Sequence, residues 1–304
     1  MSEGYVKSTQ DFVSIIDFLR FGLTCANSSA LHFGHGTDNA LDDIYALILG
    51  SLSLPMDAEP MLLKARLTDK EKKMIATQLE KRIVERVPVP YLINKAYFCG
   101  LPFFVDERVL IPRSPIGELI EQQFSSWIQP DQVSRVLDLC TGSACIAIAC
   151  CYAFPEAQVD AVDISKSALE VAEINRDRHD LNDQLTLIES DVFEAVPVAQ
   201  YDIIVSNPPY VCLDEMQTLP DEYRHEPVLA LEALNNGLAV VDSILHRAHD
   251  YLSEHGILVV EVGNSEEALL EAYPDLAFTW LDFERGGQGV FLLTREQLVD
   301  YFGN

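Results

Sequence analysis

The chain has 304 residues, 48% hydrophobic and 23% charged, a balance that excludes a disordered or fibrous protein and allows two domains at roughly 150 residues each. Its 48 Asp and Glu against 21 Lys and Arg leave a net charge of −27. Such a field repels a phosphate backbone and attracts basic proteins, which argues against direct nucleic-acid contact. The seven cysteines contain no C-x-x-C pair, so they read as reduced thiols and no metal site is expected. The opening MSEGYVKSTQD lacks a basic segment followed by an apolar run, and no apolar stretch reaches the roughly 18 residues that span a bilayer. A cytoplasmic protein without membrane contact is the expectation.

From Thr9 to about Glu85 apolar residues recur at helical spacing, as in Phe12, Ile15, Ile16 and Leu19, then Leu41, Ile44, Leu47 and Ile48. Residues 1–90 are therefore predicted to form a helical domain. Thr68 with Glu71 three residues on forms a capping-box pattern that opens its last long helix, and Pro88 and Pro90 close it. Residues 91–112 change period. Ala96–Cys99 and Phe103–Val105 read as strands around a turn containing Gly100, a hairpin linking two domains.

After Pro115 a helix is predicted through Trp127. Strand-like Val133–Leu139, Gln158–Val162, Thr186–Ile188, Tyr201–Ser206 and Ile257–Val262 then follow one another. Helix-like Ser143–Tyr152, Ser167–His179 and Gly237–Leu252 lie among them. This alternation predicts an α/β domain over 113–304 with a mostly parallel sheet covered on both faces. Ala277–Glu284, Gly286–Gly287 and Val290–Thr294 predict a final antiparallel hairpin.

Three strand ends carry candidate chemistry. Val136–Leu139 runs into Cys140–Thr141–Gly142–Ser143–Ala144, a turn of small residues before a helix, where a ligand can approach the backbone. The turn lacks G-x-G-x-x-G, which disfavours a dinucleotide. Asp138 points instead to a cationic ligand, such as the amino group of S-adenosylmethionine. Asp163, 21 residues after Gly142, ends the next strand where an acid can accept from both ribose hydroxyls. Asp191 follows the third strand and can accept from an adenine amino group, with Val192 against the ring.

Asn207–Pro208–Pro209–Tyr210 ends the strand Ile203–Ser206. The two prolines fix an extended turn, so the Pro208 carbonyl cannot rotate freely. A rigid carbonyl beside an Asn side-chain oxygen suits methylation of a planar amino nitrogen. The two oxygens would accept both N–H groups and stabilise positive charge growing on nitrogen, while Tyr210 packs on the substrate plane.

With these residues in place, the sequence resembles the S-adenosylmethionine-dependent protein glutamine N5-methyltransferases. It looks closest to the branch that modifies large-subunit ribosomal protein three. The likeness runs through Tyr97–Phe103, Val109–Ile116, Asp138–Ser143, Asn207–Tyr210, Tyr223–Pro227 and Gly286–Phe291. It implies a class I, Rossmann-like methyltransferase fold with a seven-stranded sheet, S-adenosylmethionine as cofactor and an N-terminal substrate-recognition domain. It further implies a basic ribosomal protein as partner, cofactor and glutamine being bound by Cys140–Ala144, Asp163 and Asn207–Tyr210. Segments around Cys99, Ser114 and Gly287 favour this branch over the sister enzymes that modify peptide-chain release factors.

The sequence departs from the family at Ala144, where a Gly is usual and would allow closer helix-to-strand packing. Arg113 matches the family, but its chemistry suggests no role. A DNA adenine methyltransferase shares the Asn-Pro-Pro-Tyr type of turn, yet it needs a basic face that a chain of −27 lacks. A non-catalytic assembly factor has no need of Asn207 and Asp163.

Overall fold

The computed structural model describes residues 3–303. They form two compact units. One comprises the residues up to Ala96 with Val105–Glu107 and Pro220–His225; the other comprises Tyr97–Phe104, Arg108–Leu219 and the residues from Glu226 on.

The first unit is built from α1 (Glu3–Ser8), α2 (Ile15–Asn27), α3 (Ala40–Ser51), α4 (Asp69–Ile83) and the short α5 (Val89–Ile93). Their apolar stripes close over Phe18, Ile44, Leu47, Ile48, Ile75 and Leu79, all essentially inaccessible to water. The capping box predicted at Thr68 is present. The Thr68 N–H donates to Glu71 Oε2 at 2.7 Å and the Glu71 N–H donates back to Thr68 Oγ1 at 3.3 Å. Beneath this core lies a buried ion network. Arg82 Nε donates to Asp43 Oδ2 at 2.7 Å and Nη1 to Glu222 Oε1 at 3.1 Å, while Nη2 donates to the His32 carbonyl at 2.9 Å.

The second unit opens at Tyr97, within the hairpin of β1 (Ala96–Phe98) and β2 (Leu101–Phe103), turned at Cys99 and Gly100 with φ of 47° and 73°. Two residues with positive φ make the tight turn whose twist suits a hairpin. Next, α6 (Ile116–Glu121) stops well short of Trp127, because Gln123 and Phe124 take φ of 54° and 49°. That reversal turns Phe124 into the core beside Phe154.

The sheet follows: β3 (Arg135–Leu139), α7 (Cys145–Ala153), β4 (Gln158–Asp163), α8 (Lys166–Arg178), β5 (Leu185–Glu189) and β6 (Tyr201–Ser206). The chain continues through α9 (Leu213–Met216), α10 (Ala239–Tyr251), β7 (Leu252–Glu261), α11 (Glu266–Ala272), β8 (Thr279–Trp280), β9 (Val290–Thr294) and α12 (Arg295–Phe302). The spatial order is β5-β4-β3-β6-β7-β9-β8, with β9 antiparallel to both neighbours and the other pairs parallel. This is the mostly parallel seven-stranded sheet expected. Of the last hairpin's first strand only Thr279–Trp280 pairs. β3, β4 and β6 are buried along nearly their whole length, as strands covered on both faces must be. Strand order reverses at β3, which has β4 on one side and β6 on the other, and this switch point leaves a crevice at the carboxyl ends of β3 and β6.

Candidate active site

A cleft of about 210 Å³ occupies that crevice. One water needs roughly 10–15 Å³ by this measure, so the space admits a small molecule. Its walls include Cys140–Ser143, Asp163, Ile164, Asp191, Val192, Asn207 and Pro209, with further residues from the 108–114 and 227–232 segments. Four separate strand ends thus converge on one space. Asp138, Ala144, Pro208 and Tyr210 are not in the lining.

The backbone takes left-handed conformations at the turns after β3 and β5 that border the cleft. Cys140, Gly142, Ala144 and Val192 have φ of 59°, 54°, 63° and 46°. A β-branched residue in the left-handed region is rare, and such residues cluster where a ligand must be met. Gly142 is informative in a second way. A Cβ there would touch no protein atom within 4 Å, so it would stand in the open space of the cleft that a ligand would use. At Ala144 a backbone reason joins the packing one: the residue is fully buried and takes the left-handed conformation, φ 63° and ψ 24°, at the start of α7, which a glycine adopts more readily.

Asp163 stands at the carboxyl end of β4. Its Oδ2 accepts from the Gly142 N–H and its Oδ1 from the Ser165 N–H, both at 2.8 Å. The Ile164 N–H also engages the carboxylate, and the acceptor capacity left over can take a hydroxyl. Burial pushes the carboxyl above the usual range, against the opposing pull of the Ser165 and Gly142 N–H groups. Asp191 lines the cleft with its carboxylate engaged by no described protein donor.

Asp138 is placed differently from the expectation of direct ligand contact. It is fully buried under the turn, where Oδ2 accepts from Thr141 Oγ1 at 2.5 Å and from the Ala147 N–H at 3.1 Å. Its Oδ1 is buried without a hydrogen-bond partner among the described residues. Burial pushes this carboxyl up to about 7. Its contact with the cleft therefore runs through Thr141, which it holds in place. Burial also raises the thiols of Cys140 and Cys145, the latter to about 12, so neither is a nucleophilic thiolate at neutral pH.

Asn207 follows the last residue of β6. Its Nδ2 donates to the Arg113 carbonyl at 3.5 Å. A carbonyl can only accept, so this contact selects the amide orientation that turns Oδ1 away from Arg113 and leaves it for another donor. The role of Arg113 that the sequence left unassigned is now visible. Its guanidinium grips Glu226 fork on fork, with both N···O distances 2.6 Å, and Glu226 Oε1 also accepts the Ile111 N–H at 3.0 Å. Two loops 113 residues apart are thereby pinned together over the cleft.

Tyr210 is also placed otherwise than expected. Its hydroxyl donates to Glu261 Oε1 at 2.9 Å, at the carboxyl end of β7, so the ring is directed away from the cleft lining. Sequence reasoning missed Glu226, Glu261 and Ile164. Glu226 lies in the Tyr223–Pro227 segment that carries the family likeness, where no role was assigned to it, and Glu261 carries no local signature. Ile164 does: an exposed apolar residue directly after a strand-end acid suits the flat face of a ring.

A protein-family model described as "Methyltransferase small domain" matches residues 122–219. The chain is 45% identical over 300 residues to the ribosomal protein uL3 glutamine methyltransferase of Francisella tularensis subsp. tularensis, covering 97% of this chain and 96% of that one. It is 46% identical over 294 residues to the protein of the same name from Neisseria meningitidis, covering 96% and 97%. Among solved structures, the hMettl16 catalytic domain in complex with MAT2A 3'UTR hairpin 6 superposes with a TM-score of 0.50 at 16% identity, over 75% of this chain and 81% of that one. That last likeness concerns the fold alone.

Proposed function

This chain belongs to the ribosomal protein uL3 glutamine methyltransferase family, and from that premise we propose that it methylates the side-chain amide nitrogen (N5) of a glutamine in uL3, with S-adenosylmethionine as donor. The observation that carries the reading is Asn207 in the lining of the switch-point cleft, its Nδ2 taken by the Arg113 carbonyl. Its Oδ1 accepts one N–H of the target amide, and the second is assigned to the rigid carbonyl of Pro208, which is not itself in the lining but sits between Asn207 and Pro209, which are. An amide nitrogen is a poor nucleophile because its lone pair is delocalised. Two acceptors hold it in line and stabilise the positive charge it gains. No general base is needed, since the methylated cationic nitrogen is strongly acidic and releases its proton to water.

The residues present fit the cofactor. Asp163 offers acceptors for two ribose hydroxyls, Asp191 an acceptor for an adenine amino group, and Val192 and Ile164 apolar surface for the ring. Cys140–Ser143 face its amino-acid portion. Bound there, S-adenosylmethionine supplies an electrophilic methyl group on a sulfonium. We assign residues 1–90 to recognition of the protein substrate, 91–112 to the linker and 113–304 to catalysis. The net charge of −27 favours encounter with a basic ribosomal protein, in the cytoplasm.

The test is incubation with methyl-labelled S-adenosylmethionine and purified uL3, followed by identification of the labelled residue. Label on a uL3 glutamine is expected. Label on a release factor in a parallel reaction, and none on uL3, would move the chain to the sister activity.

A further inference from the structure

We propose that Glu261 is a positioning residue for the target amide, an assignment that rests on the activity proposed above. Glu261 ends β7, next to β6 in the sheet, and 6% of its surface is exposed. Its two oxygens reach in two directions. Oε1 accepts from the Tyr210 hydroxyl at 2.9 Å, and Oε2 from the Ser114 hydroxyl at 2.6 Å. Tyr210 closes the Asn-Pro-Pro-Tyr turn, and Ser114 follows the residue whose carbonyl orients Asn207. One carboxylate therefore ties together the turn that carries Asn207 and the segment that sets the rotation of its amide.

The slot around Tyr210 leaves that ring little alternative. The Ser265 hydroxyl donates to the Tyr210 carbonyl at 2.9 Å. The ring lies so close to Gly263 that a Cβ there would come within 2.5 Å of Tyr210 Cε2. Gly263 is two residues past Glu261, so the carboxylate and the glycine that admits the ring are delivered by the same strand end. On the other side, Ser114 Oγ also accepts the Ile116 N–H at 3.2 Å, which fixes the start of α6. The carboxylate never enters the cleft lining. Its effect on the reaction passes through Tyr210, Ser114 and the Arg113 carbonyl to Asn207, whose acceptor must be aligned to well under an ångström for near-attack geometry.

The experiment compares Glu261→Ala and Glu261→Gln with wild type, measuring kcat and KM for uL3 and, by direct titration, affinity for S-adenosylmethionine. Glu261→Ala should lower kcat at least tenfold with cofactor affinity changed less than threefold. Glu261→Gln should recover most of the turnover, because its oxygen and amide nitrogen can each bond a hydroxyl. Should Glu261→Ala fail to fold, Tyr210→Phe and Ser114→Ala each delete one bond. Their combined effect on kcat should then fall short of the product of the single effects, as expected of groups acting through one carboxylate. Turnover of Glu261→Ala within threefold of wild type, or strictly multiplicative effects in the double variant, would overturn the positioning role. Failure of wild type itself to label uL3 would instead overturn the activity.

Discussion

In the helical unit the buried carboxylates of Asp43 and Glu222 share the Arg82 guanidinium, whereas around the cleft those of Asp138 and Asp163 are met by backbone N–H groups and a hydroxyl. Burial pushes Glu222 up, but the His32 N–H and Arg82 outweigh it and hold the carboxyl low. Asp43 is raised by burial in spite of Arg82. Asp138 and Asp163, with no cation beside them, are both raised by burial. Carboxylates bound to a guanidinium have their charge and their lone pairs spent on the fold. Neutral donors leave lone pairs and electrostatic need over, and at Asp163 these face a ligand cleft.

Arg82→Ala should give the largest effect, on stability alone. It takes the shared guanidinium from two buried carboxylates, leaving Glu222 the more distant Arg86 at 3.6 Å, and breaking a buried pair from one side costs about 3–5 kcal/mol. Urea unfolding should show the loss. Unchanged stability would mean that Asp43 and Glu222 find other partners.

Asn207→Ala is the converse case. Removing one preorganised acceptor typically costs ~10²–10³ in kcat. Affinity for S-adenosylmethionine and the unfolding midpoint should stay near wild type. Turnover within a few-fold of wild type would make the Asn-Pro-Pro-Tyr turn structural.

Asp163→Ala removes a carboxylate from the cleft wall, where a charge-assisted hydrogen bond is worth about 1.5–3 kcal/mol. Cofactor affinity measured by titration should fall more than tenfold. A change under about threefold, well below the 1.4 kcal/mol of a tenfold effect, would remove Asp163 from the ribose assignment.

Asp138→Asn tests the buried carboxyl beneath the turn. An unfolded Asp titrates near ~3.9, while Asp138 in the fold is held up to about 7. Between these values the folded state keeps the proton and the unfolded state does not. Its favourable contribution is thus complete below the lower value and is lost as pH rises through the upper one, at no more than about 1.4 kcal/mol per pH unit. The Asn variant should flatten that decline in stability between pH ~4 and ~7. An identical slope in both proteins would show Asp138 ionised throughout.

Ala144→Gly gives the smallest shift. The left-handed conformation costs an L-residue roughly 1–2 kcal/mol, against about 0.8 kcal/mol for losing a buried methyl. A gain in stability of under about 1 kcal/mol is expected. This reverses the sign that a helical position alone would suggest, where Gly costs about 1 kcal/mol relative to Ala. A lowered melting temperature would show that the methyl's packing outweighs the strain.

The elements were largely legible in the sequence because their causes are local. Tyr201–Ser206 and Val290–Thr294 fall where the apolar pattern puts them, and Thr68 with Glu71 forms its capping box three residues apart. The acids and Asn207 could be found for the same reason, each sitting at the end of an apolar strand. The helix predicted through Trp127 failed at Gln123 and Phe124, whose left-handed backbone no hydrophobic period reveals.

What the tertiary structure alone decided are the pairings across long stretches of chain. Arg113 meets Glu226 across 113 residues, Ser114 meets Glu261 across 147, and Arg82 meets Glu222 across 140. Nothing near Glu222 or Glu261 in sequence distinguishes a buried ligand of another side chain from an ordinary surface acid. Only the crossover that returns β6 beside β3 sets Asn207 across the cleft from Asp163, and only the fold supplies the Arg113 carbonyl that turns its amide. Local sequence specifies the strand ends through period and capping; hydrogen-bond partners depend on which ends the sheet order brings within about 3 Å of one another.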